Sequence, residues 1–224
     1  MFEPPHIRVR WRASLDLTGT VLVYLSVPLA FPLVLAVYYG EPLSPFLAAI
    51  AATVLLGGAM SSLGDPELNL GPREAFLAVA LIWFLVAAVG AIPFAVAGNG
   101  TTAHPVNALF EAMSGLTTTG ATVFRDFSVH SKSVLMWRQL LQWLGGLGIL
   151  ILATAVLSSL GVGGAQLMET ETQTRNVNKL TPKISETARL IWGLYVGLTG
   201  LAMGVYFALG ASGLAPEMDL YNAV

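Results

Sequence analysis

The sequence predicts an all-α integral membrane protein. Two N-terminal helices are followed by helix–re-entrant loop–helix units, the first complete and the second truncated. Three observations lead there. Only 11% of the 224 residues are charged and 55% are hydrophobic, whereas a soluble domain carries about 25% charged residues. The apolar residues gather in five runs, at about 15–39, 43–63, 73–98, 131–160 and 187–210, each near the roughly 20 residues that a spanning helix needs. The chain also resembles itself at a shift of about 110 residues.

Composition also excludes several functions. A net charge of −2 gives no footing for nucleic acid. With no cysteine there are no disulfides or thiolate metal sites. His6, His104 and His130 are scattered without metal-ligand spacing. No nucleophile–base pair or pair of carboxylates has catalytic spacing, so an enzyme is not expected.

The first apolar run is too long for a signal peptide and lacks a small-residue cleavage pattern leading into soluble sequence. It follows a basic tail, with Trp11 placed for the headgroup level. Pro28 and Pro32 fall inside it and imply a kink. Ser44 reads as an N-cap before Pro45, where the second helix begins. The third span runs from Pro72 to about Gly98, and the fourth and fifth flank a polar stretch at 161–186. Eight of the 11 Lys and Arg residues fall on one side of this topology and three on the other, which places the N-terminus inside.

Between the third and fourth spans lies an apolar helical segment, 104–116. At 1.5 Å per residue it reaches roughly 18–20 Å, too short for a hydrocarbon core of ~30 Å. It must begin and end on the outer side, and it lacks the strongly charged face of an interfacial helix. A re-entrant half-helix follows from these constraints.

The internal repeat supports this topology. Pro72 and Arg73 match Pro182 and Lys183 at an offset of 110, and Pro105, Leu109, Phe110 and Ala112 match Pro216, Leu220, Tyr221 and Ala223 at 111. The regions read as 1–66, the N-terminal pair of helices; 67–160, the first repeat; 161–180, a cytoplasmic linker; and 181–224, the start of a second repeat. At this offset the second copy of Thr117 would fall beyond Val224, so the sequence reads as part of a longer protein.

The half-helix leads into MSGLTTTGATVF, residues 113–124. A phosphate loop would need lysine where Ala121 stands. A plain turn, with hydroxyls satisfying its own backbone, is one reading. A cation site is the other: irregular backbone at membrane depth survives where it lines a water-filled path, and a cation can partner the carbonyls. In the second reading Gly115 ends the half-helix, and Thr117, Thr118 and Thr119 favour extended backbone. Gly120 then supplies a conformation that other residues resist. Glu111 and Arg138 are charges near membrane depth: one reading has them pair, or has Arg138 brace the loop, and the other has Arg138 snorkel to the outer interface. The glycines Gly193, Gly197, Gly200 and Gly204 share one helix face and read as a packing seam.

FEAMSGLTTTGATV at 110–123, WRQLLQWLGGLGILILATAVL at 137–157, GVGGAQLMETET at 161–172 and KLTPKISETARLIW at 179–192 together resemble bacterial Trk-type K⁺ uptake subunits of the TrkH kind. The two helices before the first repeat fit that kind better than KtrB, its relative without them. The resemblance implies four helix–pore-loop–helix repeats around a K⁺ path, K⁺ as the transported ion with no covalently bound cofactor, and a homodimer. It further implies a bacterial inner membrane location in contact with lipid, and a cytosolic nucleotide-binding regulatory subunit of the TrkA type. The selectivity filter carries over to Thr117, Thr118, Thr119, Gly120 and Ala121, with K⁺ held by the backbone carbonyls of Thr117 to Gly120. Gly115, Glu111 and Arg138 would support that filter. The family's gating loop and pore-lining arginine lie in later repeats and have no counterpart here. A non-conducting membrane scaffold is the alternative, in which the loop merely packs.

Overall fold

A computed structural model describes residues 11–65, 71–159 and 180–223. The helices are α1 (Trp11–Tyr39), α2 (Ser44–Leu63), α3 (Pro72–Gly90), α4 (Ile92–Ala97), α5 (Pro105–Leu116), α6 (Lys132–Ser159), α7 (Leu180–Ala211) and α8 (Leu220–Ala223), with a 3₁₀ turn at Gly100–Ala103. Among the described residues there is no strand. Two compact units emerge, Met1–Gly146 and Leu147–Val224. The expected linker lies, but for Leu180, outside the described residues.

Four helical stretches are long and apolar enough to cross a membrane: Trp11–Tyr39, Ser44–Leu63, Arg73–Ala97 and Glu186–Ala211. The remaining expected span, 131–160, falls on α6, whose 28 residues extend about 42 Å at the helical rise but which is not among these four. At most 33% of any of the four spans is buried within the protein. Tyr24, Val27 and Val34 project outward from α1, and a contiguous apolar surface of this kind requires lipid or a partner to cover it.

In the first unit, α1 and α2 form a hairpin whose seam is made of small residues. A Cβ at Gly19 would lie 2.5 Å from the Gly57 carbonyl oxygen and 2.6 Å from the Ser61 nitrogen, so only glycine permits this crossing. Ser14 donates its hydroxyl to the Glu74 carbonyl at 2.8 Å, tying the hairpin to α3. Leu22, Leu29, Phe46, Phe94, Ala108, Ala112, Trp137 and Leu141 lie in one core that joins the hairpin to α4, α5 and α6. Trp137 donates its indole N–H to the Gly90 carbonyl at 2.9 Å, satisfying the polar tip of the largest buried side chain.

Several local expectations change. Ser44 is the first residue of α2 and not its cap; Leu43 holds the N-cap position with no side-chain bond. The third span breaks at Ala91, where Pro93 near the start of α4 has no N–H to continue the ladder. In the second unit Pro216, the residue matched to Pro105, does not open a helix. The helix starts at Leu220, with the Asp219 carboxylate accepting the Asn222 N–H at 2.8 Å, because an aspartate cap ends the preceding turn. Among the described residues of that unit, nothing lies within 4 Å of a Cβ built on Gly193, Gly197, Gly200 or Gly204 of α7.

Gly19→Val drives a branched side chain into the α2 backbone. The expected cost is about 1–3 kcal/mol, the usual penalty for overpacking, read as a lower Tm of the detergent-solubilised protein.

Candidate functional site

The short helix α5 is anchored at its N-terminal end by two side chains. The His104 ring accepts the Val106 N–H through Nδ1 at 3.3 Å, and Asn107 donates to the Thr101 carbonyl at 2.8 Å. Its inward face carries Ala108, Glu111, Ala112, Ser114, Gly115 and Leu116. These meet α6, where Gly145 lets the Leu116 carbonyl approach so closely that any Cβ there would overlap its oxygen.

Gly115 does not terminate α5; it lies inside the last turn, 3.5 Å from the Arg138 carbonyl for a Cβ built on it. The helix ends at Thr117, the C-cap, with φ −80° and ψ 4°. The Thr119 N–H then bonds to the Ser114 carbonyl at 3.0 Å, and the Thr118 N–H to the Gly115 carbonyl at 2.9 Å. This is the Schellman arrangement, whose C′ residue is normally a left-handed glycine. Here that residue is Thr118, at φ 55°, which is the one non-glycine residue with positive φ among those described. The same motif ends α1, where Gly40 holds the position at φ 68° and the Glu41 N–H bonds to the Ala36 carbonyl at 2.8 Å. The threonine run is therefore not uniformly extended. Its second member is held left-handed, at a cost on the order of 1–3 kcal/mol of the kind that gathers at functional sites.

After Gly120, at φ 74°, the chain returns alongside α5. Ser114 donates its hydroxyl to the Ala121 carbonyl at 2.6 Å. Thr101 donates to the Val123 carbonyl at 2.6 Å. The Glu111 carboxylate accepts the Val123 N–H at 2.9 Å and the Thr122 hydroxyl at 3.0 Å. Thr117 and Thr119 share a hydroxyl contact of 2.8 Å, and Thr117 also donates to the Met113 carbonyl. Among the described residues, nothing donates to the carbonyls of Thr117, Thr118, Thr119 or Gly120. Four successive carbonyls thus stand without a protein partner among the described residues, and the Ala121 carbonyl that follows them accepts the Ser114 hydroxyl.

The expected pair of Glu111 and Arg138 is present. Arg138 Nε lies 2.5 Å from Glu111 Oε1, and the Glu111 side chain has no exposed surface. Such a pair is stable in a low-dielectric interior when the remaining oxygens are hydrogen-bonded, and the loop supplies those bonds. The Arg138 guanidinium also stands 5.9 Å over the Phe124 ring. Phe124 stacks on His130, with ring centroids 4.0 Å apart. Burial pushes the His130 pKa below the ordinary histidine value, and the nearby charges of Glu111 and Asp126 oppose that shift. His130 Nδ1 is buried and has no partner among the described residues.

Three participants escaped the sequence reading. Ser114 has no motif signal beyond its place one turn after Glu111. His130 acts as a flat packing surface, which spacing alone does not reveal. Glu41, in the α1–α2 turn, accepts the N–H groups of Lys132 and Ser133 at 2.8 and 2.9 Å and so caps α6. It lies 91 residues before Lys132, beyond any local pattern. No group of three or more His, Asp or Glu side chains capable of holding a metal ion occurs among the described residues.

Arg138→Met leaves a buried carboxylate unpaired, and a loss of about 3–5 kcal/mol is expected, measurable as a large fall in Tm. Thr118→Gly relieves the left-handed strain. It should raise stability by about 1–2 kcal/mol, so the two substitutions shift Tm in opposite directions.

Comparison with known proteins matches residues 43–218 to the family model TrkH, described as a cation transport protein. The Trk system potassium uptake protein TrkH of Halomonas elongata is 37% identical over 202 residues, covering 89% of this chain and 42% of that protein. The protein of the same name from Escherichia coli (strain K12) is 35% identical over 220 residues, covering 96% and 44%. Among solved structures, the crystal structure of the potassium transporter TrkH from Vibrio parahaemolyticus superposes with a TM-score of 0.77 at 32% identity. It covers 96% of this chain and 42% of that one. The chain therefore spans less than half the length of these relatives.

Proposed function

This chain belongs to the TrkH family of cation transport proteins, and from that premise we propose that it contributes one filter loop to a K⁺-conducting pore. The observation that carries the proposal is the run of four carbonyls, Thr117 to Gly120, with no protein donor among the described residues. Carbonyl rings replace the hydration shell of K⁺, and the partly negative C-terminal end of α5 points its field at the same place. Thr117, Thr118, Thr119, Gly120 and Ala121 form the filter segment. Their backbone is held by the Schellman turn on one side and by Glu111 with Arg138 on the other. Gly115 supports it from the last turn of α5.

One loop cannot surround an ion. Four helix–pore-loop–helix units in the whole protein would complete the ring, and the repeat that starts near residue 181 is the second of them. The whole protein works as a homodimer in the bacterial inner membrane, with the N-terminus cytoplasmic and the long spans facing lipid. A cytosolic nucleotide-binding subunit of the TrkA type regulates it. Potassium moves down its electrochemical gradient, without a covalent cofactor.

The test uses the complete gene product in cells deficient in K⁺ uptake, with rubidium as tracer. Gly120→Asp forces a side chain onto a residue at φ 74°. The strain of ~1–2 kcal/mol alone approaches a factor of ten, and rubidium uptake is expected to fall at least about tenfold. Unchanged uptake would return the loop to a packing role and favour a scaffold.

A further inference from the structure

Helical hydroxyls in this chain usually bond to their own helix. Thr18 donates to the Ser14 carbonyl, Ser26 to Val23, Thr53 to Ile50, Ser62 to Ala59 and Thr199 to Tyr195. Such back-bonding is the default for serine and threonine inside helices. Ser14, which donates to the Glu74 carbonyl, departs from it, and so does Ser114. Its hydroxyl reaches out of α5 to the Ala121 carbonyl, seven residues on, at 2.6 Å, and the residue is almost fully buried.

The backbone of Ser114 is engaged as well. Its carbonyl accepts the Thr119 N–H at 3.0 Å. One residue therefore grips the loop on both sides of Gly120, by its carbonyl before it and by its hydroxyl after it. The Ala121 carbonyl, turned back toward α5, is the first in the loop to be engaged. The unpartnered run stops at Gly120 for that reason. Two residues after Ala121, the Val123 carbonyl accepts the Thr101 hydroxyl.

We propose that Ser114 is a specificity-determining positioning residue: its hydroxyl holds the Ala121 carbonyl away from the ion path and fixes the cation-facing run at Thr117 to Gly120. This inference rests on the filter reading given above. Without the hydroxyl, the Ala121 carbonyl loses its protein donor and can turn toward the path. It then adds a loosely held ligand beside Gly120, whose left-handed conformation is no longer bracketed. A filter with a mobile ligand fits ions of different size more evenly, so the effect falls on discrimination more than on assembly.

The experiment compares rubidium uptake against competing sodium for the parent, Ser114→Ala, Ser114→Thr and Gly120→Asp, each in the complete gene product. Ser114→Ala is expected to lose about fivefold in discrimination, the equivalent of one neutral hydrogen bond. Ser114→Thr, which restores the hydroxyl, keeps the parental ratio. Parental discrimination in Ser114→Ala, with uptake lost in Gly120→Asp, overturns the role of Ser114 while leaving the filter standing. An equal loss in Ser114→Thr also overturns it, because the hydroxyl would then not be the cause. Unchanged uptake in Gly120→Asp overturns the filter reading itself. If Ser114→Ala does not reach the membrane, Ser114→Cys takes its place, since its thiol is only a weak donor. A reduced ratio supports the proposal there, and a parental ratio overturns it.

Discussion

A carboxylate with no exposed surface governs the local architecture. Glu111 sits midway along a helix too short to cross a bilayer, in surroundings where an isolated charge would be prohibitively costly. Every neighbour arranged around it answers that constraint. Arg138 brings the counter-charge from α6, and the returning loop brings the Val123 N–H and the Thr122 hydroxyl. Satisfying the charge and shaping the loop are one event. The chain cannot leave its path after Gly120 without leaving Glu111 short of partners. Buried polar networks that are fully satisfied specify a single arrangement in this way.

The remaining contacts stabilise that network at one remove. Gly145 allows α6 to lie against the end of α5, which brings Arg138 within reach of Glu111. Phe124 closes the loop side between the guanidinium and the imidazole of His130. Trp137, next to Arg138, locks α6 to α3 through the Gly90 carbonyl. The strain at Thr118 persists because the Schellman bonds and the hydroxyls on both sides over-determine its conformation. In α1 an equivalent turn carries glycine and stores no such strain.

Much of this was legible in the sequence, and the reasons differ by feature. Four of the five expected spans followed from the length and purity of the apolar runs, which a bilayer imposes directly. The half-helix followed from its insufficient length, and the pairing of Glu111 with Arg138 from the cost of leaving either charge alone. The ending of α5 was not legible. Glycine marks a left-handed cap by composition, and Gly115 stands close enough to suggest it, whereas a threonine in that role gives no compositional sign. The hydroxyl of Ser114 was hidden for a related reason: a serine in a helix has a local partner by default, and only coordinates reveal that it has another. The break at Ala91 and the late start of α8 depended on which of two nearby signals prevailed, a balance that propensity alone does not decide.

The cap that Glu41 places on α6 has a temporal consequence. A chain leaves the ribosome from its N-terminus, so the acceptor carboxylate is made 91 residues before the Lys132 N–H that it receives. The hairpin of α1 and α2 presents a finished docking point for the start of α6 before α6 has been synthesised. When the helix bearing Arg138 arrives, its depth is already specified from one end. The turn between the two leading helices thus fixes where α6 begins.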